Sequence, residues 1–437
     1  MLRFPSTVIR LLLSSFVFVL GRAVALPFMA LYLSEKLGLG QQAIGWILGG
    51  SIFFATLFGL YAGYLADRID KRRLMMIACM VVAVCSALVS VSAHALAALL
   101  ALTCIEAALT LRGISLKAML ADLLPAAERP RAFSMNYMLI NMAFSIGPLI
   151  GASAFAYSVA APLWIAAMFS LLASQVVGYQ KSTPVHAATE SAPAKAGFKT
   201  TLIDLKNDRR LILFTLGSVL TSFVFGRFVS GYLSLYLILT QGVQETARLV
   251  PYILMTNAIG VVVLQYPIGK FIHQKHLFRW VTLGASLYIV GLLGFMHAAS
   301  VLAWVLATVA FTLGEVIVIP SEYMFIDMIA PADKRGSYFG AQSLSTFGAA
   351  FNPIICGFLL AHFSGAVMFW VLIASASLGV LLYYAGTHVK SVVTNLSGKT
   401  EKETAITAKP VSATKTAMHA ASQELATNRV KTLFPLN

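Results

Sequence analysis

Apolar residues in this chain fall into long runs, and polar residues gather in the short breaks between them. Stretches of roughly 20 or more mostly apolar residues are long enough to cross a bilayer as a helix. They occupy about 8–33, 43–66, 74–93, 95–120, 132–157, 160–180, 211–239, 246–272, 279–297, 300–327, 337–362 and 366–387. The pattern predicts twelve spans. Lipid offers no hydrogen-bond partner to an exposed backbone, so runs of this length are helices rather than barrel strands. At the N-terminus, Arg3, Arg10, the run from Leu11 to Leu20 and the Ala23-Val24-Ala25 triplet imitate a cleavable signal peptide. The apolar run continues to Leu33, and removing it would leave a later repeat without its mate, so it is read as the first span.

Two segments fall outside this pattern. Residues 181–210 are polar, contain Ser182-Thr183-Pro184 and Ala192-Pro193-Ala194, and divide the spans six and six. They read as a linker between a first half at 1–180 and a second at 211–387. Residues 388–437 are rich in Thr, Ser, Ala and Lys without an apolar period, and disorder is expected there. Gly398-Lys399-Thr400 imitates a phosphate loop, but Val393 stands where its first Gly is needed.

Composition narrows the class. Of 437 residues, 59% are hydrophobic and 11% charged, which excludes an ordinary water-soluble enzyme and a disordered chain. The formal net charge of +15 would elsewhere suggest nucleic acid. Here the basic residues lie in alternate loops, including Arg68 to Arg73, Arg129 and Arg131, Lys270 to Arg279, and Lys334 with Arg335, whereas the opposite loops hold only Lys36 and Arg248. The charge is therefore a topology signal, placing both termini in the cytoplasm, and no nucleic-acid partner is implied. Cys79, Cys85, Cys104 and Cys356 all fall in apolar runs without metal-ligand spacing, so neither a metal nor another cofactor is expected.

An internal repeat follows from subtraction. Arg22 and Arg227, Asp122 and Asp327, and Pro148 and Pro353 are each 205 residues apart, and Gly63 faces Gly269 within one residue of that offset. The loop Pro125-Ala126-Ala127-Glu128-Arg129 likewise faces Pro331-Ala332-Asp333-Lys334-Arg335. Several spans in one register predict an all-α membrane protein of two pseudo-symmetric six-helix halves, with a site at the midplane between them.

At these residues the chain resembles the major facilitator superfamily. The loop Gly63-Tyr64-Leu65-Ala66-Asp67-Arg68-Ile69-Asp70-Lys71-Arg72-Arg73 is similar to the family's G-x-x-x-D-R-x-G-R-R motif, with Asp70 in place of the second Gly. Ile146-Gly147-Pro148-Leu149-Ile150-Gly151 is similar to its antiporter signature, with Ala143 and Ala152 replacing the outer glycines. Gly21-Arg22 with Leu26-Pro27-Phe28-Met29, and Gly314-Glu315 with Glu322-Tyr323-Met324, resemble the YdeE-like branch of bacterial drug and dipeptide exporters. The resemblance covers residues 1 to about 390. It implies that Gly63, Asp67, Arg68, Lys71 and Asp122 form a gating cluster, with Asp67 meeting the start of the eleventh helix near Gly336 and Ser337 and Lys71 bridging Asp67 to Asp122. Gly147, Pro148 and Gly151 would allow a bend and close helix approach, either for antiport or as a plain packing kink.

Charged groups inside spans are the sharpest signal, since each costs at least about 2.5–3.5 kcal/mol at the bilayer centre. Arg22, Glu106, Arg112, Lys117, Arg227, Glu315 and Glu322 all fall on spans one, four, seven and ten. The resemblance implies that these four helices line the cavity. A carboxyl in apolar surroundings is disfavoured in its charged form, which suits it to binding and releasing protons. Glu315, near mid-span, is the first proton candidate, Glu322 the second and Glu106 the third. The two on span ten are seven apart, about 20° out of register on one face, with Pro320 free to bend the turn. A permanent ion pair of these acids with Arg227 or Arg112 is the alternative. Arg22 would hold a substrate carboxylate or serve as counter-ion to Glu106. Arg227, Ser230 and Ser234 form a polar stripe, and Arg112, Asn136, Tyr137, Asn141, Tyr232, Tyr236 and Phe347 complete the candidate cavity.

The expected activity is proton-coupled efflux of small amphipathic solutes, drugs and/or dipeptides, by a monomer rocking in the bacterial inner membrane. Its partners are substrate, protons and lipid. A proton-coupled importer of a sugar or organic acid is the alternative, against which the fifth-span Gly-Pro motif argues. The sequence has no nucleophile, metal site or paired acid that would support an enzyme.

Overall fold

The computed structural model describes residues 4–39, 41–92, 94–178, 197–226 and 233–389. The helices of the first half are α1 (Ser6–Ala25), α2 (Met29–Leu37), α3 (Gln41–Arg68), α4 (Lys71–Val91), α5 (Ala95–Leu123), α6 (Arg129–Tyr157) and α7 (Ala161–Gly178). After α8 (Phe198–Asn207), the second half comprises α9 (Arg209–Phe225), α10 (Leu233–Gly269), α11 (Leu277–His297), α12 (Val301–Ile329), α13 (Arg335–Gln342), α14 (Thr346–His362) and α15 (Gly365–His388). Among the described residues there is no β-strand, and 11 helical segments are long and apolar enough to cross a membrane. The seventh of the twelve spans begins with α9, which is 17 residues long.

Packing repeats the sequence offset. In the first half α1 lies against α6 and α7, α3 against α5, and α4 against α5 and α7. In the second, α9 lies against α14 and α15, α10 against α12, and α11 against α12 and α15. The two pseudo-symmetric halves meet along two seams, α3 with α13 and α6 with α10. Glycine sets the close approaches: a Cβ on Gly63 would stand 2.9 Å from the Cα atoms of Ser337 and Gly340. Its repeat mate Gly269 is pressed against Ser134 on the other seam.

Helix ends follow ordinary chemistry. Asp70, where the family motif carries Gly, caps α4 by accepting from the Arg72 N–H at 3.1 Å. Asp208 caps α9 through Arg210 and Leu211 at 3.0 and 3.2 Å. Gly38, at φ 64°, closes α2 in the left-handed region that favours glycine. The first apolar run is not one helix: Pro27 lies in a 3₁₀ turn, Leu26–Phe28, between α1 and α2. In the seventh run α9 ends at Phe225, where Gly226 turns to extended backbone, and α10 breaks at Gly242, φ 82°.

Within the polar stretch 181–210, α8 is helical and ties the halves together. The Phe198 ring packs edge-on against Tyr61 and Tyr64 of α3, with centroids 5.1 and 5.2 Å away. Asp204 pairs with Lys334 at 2.8 Å. Residues 181–196 and the tail from 390 on lie outside the described residues.

Candidate functional site

A cavity of about 770 Å³ lies beside α1, α3 and α5, bordered by Phe18, Arg22, Met29, Ser51, Ser86 and Glu106, and reaching Phe144 of α6 and Pro353 of α14. A second, about 310 Å³, adjoins it and shares Phe18, Arg22, Ile52, Glu106 and Phe144 while adding Arg112, Lys117, Asn136 and Tyr323. Most of this wall is apolar, and its charge is concentrated in a few buried or half-buried groups.

Arg22 and Glu106 form one of those groups. Arg22 Nη2 donates to both carboxylate oxygens of Glu106 at 3.1 and 3.0 Å, and the side chains keep 30% and 17% of their exposure. The pair neutralises itself yet still borders the cavity, which is what a reorganisable polar contact requires. Arg112 is nearly fully buried. Its guanidinium lies 4.2 Å from the centre of the Phe18 ring and donates to Ser14 at 2.8 Å. Lys117 reaches into the opposite half, with its Nζ 4.1 Å from the Tyr323 ring centre and 3.3 Å from Gln342 Oε1. The cation–π seats offset part of the cost of burying these charges.

The two acids of α12 have separate partners. Glu315 accepts from the Tyr137 hydroxyl at 2.5 Å and from Asn257 Nδ2 at 2.8 Å. Tyr137 comes from α6 in the first half, and Asn257 and Glu315 from the second, so this carboxyl crosses the interface. Glu322 accepts a short bond from Thr221 Oγ1 of α9, beside the Ser218–Tyr383 pair at 2.9 Å. Among the described residues neither acid forms an ion pair. The alternative in which Arg112 pairs with them is therefore not what the structure shows. Nor do the two acids share hydrogen-bond donors: Glu315 turns to α6 and α10, Glu322 to α9.

Other sequence candidates make contacts within the protein, Asn136 while also lining the second cavity. Asn136 accepts from Ser15 at 2.7 Å, and Asn141 donates to the Tyr137 carbonyl at 3.0 Å. Tyr236 packs against Phe369, 4.9 Å between centroids. Phe347 faces Phe53 at 5.8 Å in an apolar groove of about 740 Å³ between α3 and α14. Arg227, Ser230 and Tyr232 lie outside the described residues, as does the side chain of Ser234. Gly147 presses on Ala23 of α1, Gly151 on Val24 and on Phe28 of the following 3₁₀ turn, and Pro148 sits between them inside a continuous α6.

The end of the bundle that carries the basic loops is closed. Asp67 accepts from the N–H groups of Gly336 and Ser337 at 2.6 and 2.7 Å, where the α13 dipole favours an anion. Lys71 pairs with Asp122 at 3.1 Å, and Arg68 lies 4.5 Å from the Tyr64 ring centre. Two further pairs cross the halves reciprocally. Arg129 binds Asp327 at 2.7 Å, and Arg335 binds Asp122, also at 2.7 Å. Arg129, Arg335 and Asp327 were not among the sequence candidates for this cluster, although the repeat aligns Asp122 with Asp327 and Arg129 with Arg335 within one residue. Asn257 and Thr221 were also missed, and nothing in their local sequence singles them out.

Comparison with known proteins agrees with this architecture. A family model described as Major Facilitator Superfamily matches residues 11–346. The uncharacterized MFS-type transporter YdeE of Escherichia coli (strain K12) is 33% identical over 368 residues, covering 83% of this chain and 91% of that protein. Multidrug resistance protein MdtH of Proteus mirabilis (strain HI4320) is 26% identical, covering 78% and 83%. A crystal structure of the E. coli fucose:proton symporter FucP superimposes with a TM-score of 0.70 at 16% identity, over 88% of this chain and all of that one. At that identity it speaks to the fold alone.

Proposed function

The chain belongs to the Major Facilitator Superfamily, a family of multi-pass membrane transporters, and from that premise we propose that it exports small amphipathic solutes, drugs and/or dipeptides, in exchange for protons. The observation that carries this reading is the environment of Glu315. Its carboxyl is held between the halves by two neutral donors, Tyr137 and Asn257. Among the described residues it has no ion pair to break on gaining or losing a proton, and its partners change when the halves move apart. The Arg22–Glu106 pair supplies a polar contact in an otherwise apolar cavity, which suits solutes with one charged and one hydrophobic end. A curated relative named as a multidrug resistance protein supports the same substrate class.

In this proposal the basic loops and both termini face the cytoplasm of a bacterial cell, across its inner membrane. The closed end held by Asp67, Arg129 and Arg335 is then the cytoplasmic gate, and the cavity is approached from outside. Protonation of Glu315 from outside weakens its tie to Tyr137 and favours the change of orientation. Substrate binding from the cytoplasm favours proton release.

The test is transport in proteoliposomes under an imposed pH gradient, against a panel of cationic drugs and dipeptides. Glu315→Gln is expected to abolish pH-driven efflux while leaving insertion intact. Undiminished pH-driven efflux in that variant would remove Glu315 from the mechanism. Uptake along with protons, in place of exchange, would favour an importer.

A further inference from the structure

The two seams between the halves are related by the internal repeat, yet among the described residues only the α3–α13 seam has a carboxylate bonded to the facing helix start. On the α3–α13 seam, Asp67 receives the N–H groups of Gly336 and Ser337. The offset of 206 that relates Gly63 to Gly269 carries Asp67 to His273, Gly336 to Pro130 and Ser337 to Arg131. Both partners of the bond are thus lost on the α6–α10 seam: the carboxylate is replaced by imidazole, and proline has no N–H to donate.

Two cations are found there instead. Arg131, in the first turn of α6, lies with its guanidinium carbon 5.3 Å from the Tyr266 ring centre and donates through Nε to the Tyr266 hydroxyl at 2.9 Å. Lys270, just past the end of α10, has its Nζ 4.5 Å from the same ring. One cation belongs to each half, and like charges around one ring repel. Among the described residues no carboxylate pairs with either of them. Most of the guanidinium's five N–H groups and the three of the ammonium remain to be used. The α6 dipole adds to the positive field at this place. Lys270 is exposed and Arg131 half-buried, so the position is open to the surroundings. It also lies at the ends of two membrane-spanning helices, the depth of lipid headgroups.

We propose that this seam binds the phosphate of an anionic phospholipid between Arg131 and Lys270, so that a lipid supplies the charge that Asp67 supplies on the other seam. Bridging one cation from each half, the headgroup holds the α6–α10 seam closed.

The experiment titrates the purified full chain with phosphatidylglycerol, reading lipid-bound species by native mass spectrometry, with phosphatidylcholine and inorganic phosphate as comparisons. The wild-type protein is expected to bind phosphatidylglycerol in preference to phosphatidylcholine. Arg131→Gln and Lys270→Gln are each expected to weaken that binding about fivefold, and Lys270→Arg to retain it. Arg73→Gln removes an exposed cation at the same end of the bundle and is expected to leave binding unchanged. Equal affinity in Lys270→Gln and wild type, or an equal loss in Arg73→Gln, overturns the proposal. Displacement of the lipid by millimolar inorganic phosphate overturns it in favour of a soluble anion. Lys270 is exposed, so its substitution is readable even where Arg131→Gln fails to fold.

Discussion

The hydroxyl of Tyr137 lies 2.5 Å from Oε1 of Glu315, joining α6 of one half to α12 of the other. Hydrogen bonds to a charged group contribute about 1.5–3 kcal/mol. Tyr137→Phe removes this donor and leaves Asn257 to hold the carboxyl. Efflux driven by a pH gradient is expected to fall roughly tenfold to a hundredfold on that scale, with folding retained. Equal efflux from Tyr137→Phe and wild-type vesicles would show that the bond plays no part in turnover.

Arg129 and Arg335 make matching contacts with unequal consequences. The Asp327 side chain is fully buried and that of Arg129 14% exposed, whereas the Asp122 side chain keeps 35% of its exposure. Removing the near partner of a buried charge costs up to about 3–5 kcal/mol, and without Arg129 the Asp327 carboxylate keeps only the more distant Arg335 Nε at 3.7 Å. A partly exposed pair contributes about 0–1 kcal/mol. Arg129→Gln should therefore lower the unfolding temperature well below that of Arg335→Gln. The exchanged double variant Arg129→Asp with Asp327→Arg is expected to recover part of the loss, and a thermal melt of all three checks the ranking.

At the α3–α13 seam the expected phenotype is leakage rather than unfolding. Gly63→Ala would press a methyl on the Gly336 carbonyl and on the backbone of Ser337 and Gly340, forcing the two helices apart and weakening the Asp67 contacts. Asp67→Asn weakens the same contacts electrostatically. Either variant should raise labelling of a cysteine introduced at Thr110, which borders the inner cavity, by an impermeant maleimide applied to inside-out vesicles. Unaltered labelling in both would mean that the gate is held elsewhere.

On the α1–α6 contact, size decides. The space beside Gly147 is filled by the Ala23–Val24 backbone, and overpacking costs about 1–3 kcal/mol, occasionally more. Gly147→Leu is expected to reduce the yield of folded protein, while Gly113→Ala, where a Cβ meets nothing within 4 Å, should be neutral. Size-exclusion profiles of the two variants make the comparison.

The features legible in the sequence are those governed by period and offset. The lengths of the apolar runs predict the spans, and subtraction finds the two halves because duplication preserves register. The Gly63–Asp67 loop points to Gly336 and Ser337 through family likeness. Side-chain partners across the interface are harder to read. Tyr137 and Glu315 are 178 positions apart, and no local pattern says which faces of α6 and α12 meet. Arg129 and Asp327 are visible as repeat markers, but their reciprocal exchange with Arg335 and Asp122 is a property of the assembled halves. Helix α8 is obscured by its polar composition, since few of its residues are buried, Thr201 and Leu205, and its other ties are side-chain contacts such as Phe198 with Tyr61 and Asp204 with Lys334.

Because Tyr137 and Asn257 are both uncharged, and no described residue forms an ion pair with Glu315, loading its carboxyl changes the net charge of the moving parts. In the proposed cycle, one leg carries a neutral acid through the field and the other an anion. Each elementary charge displaced across the full field is worth about 2.3 kcal/mol per 100 mV. For a solute without net charge, the membrane voltage then acts on the anionic leg alone and turnover leaves an electrical current as its trace, whereas a monovalent cation exchanged for one proton leaves none.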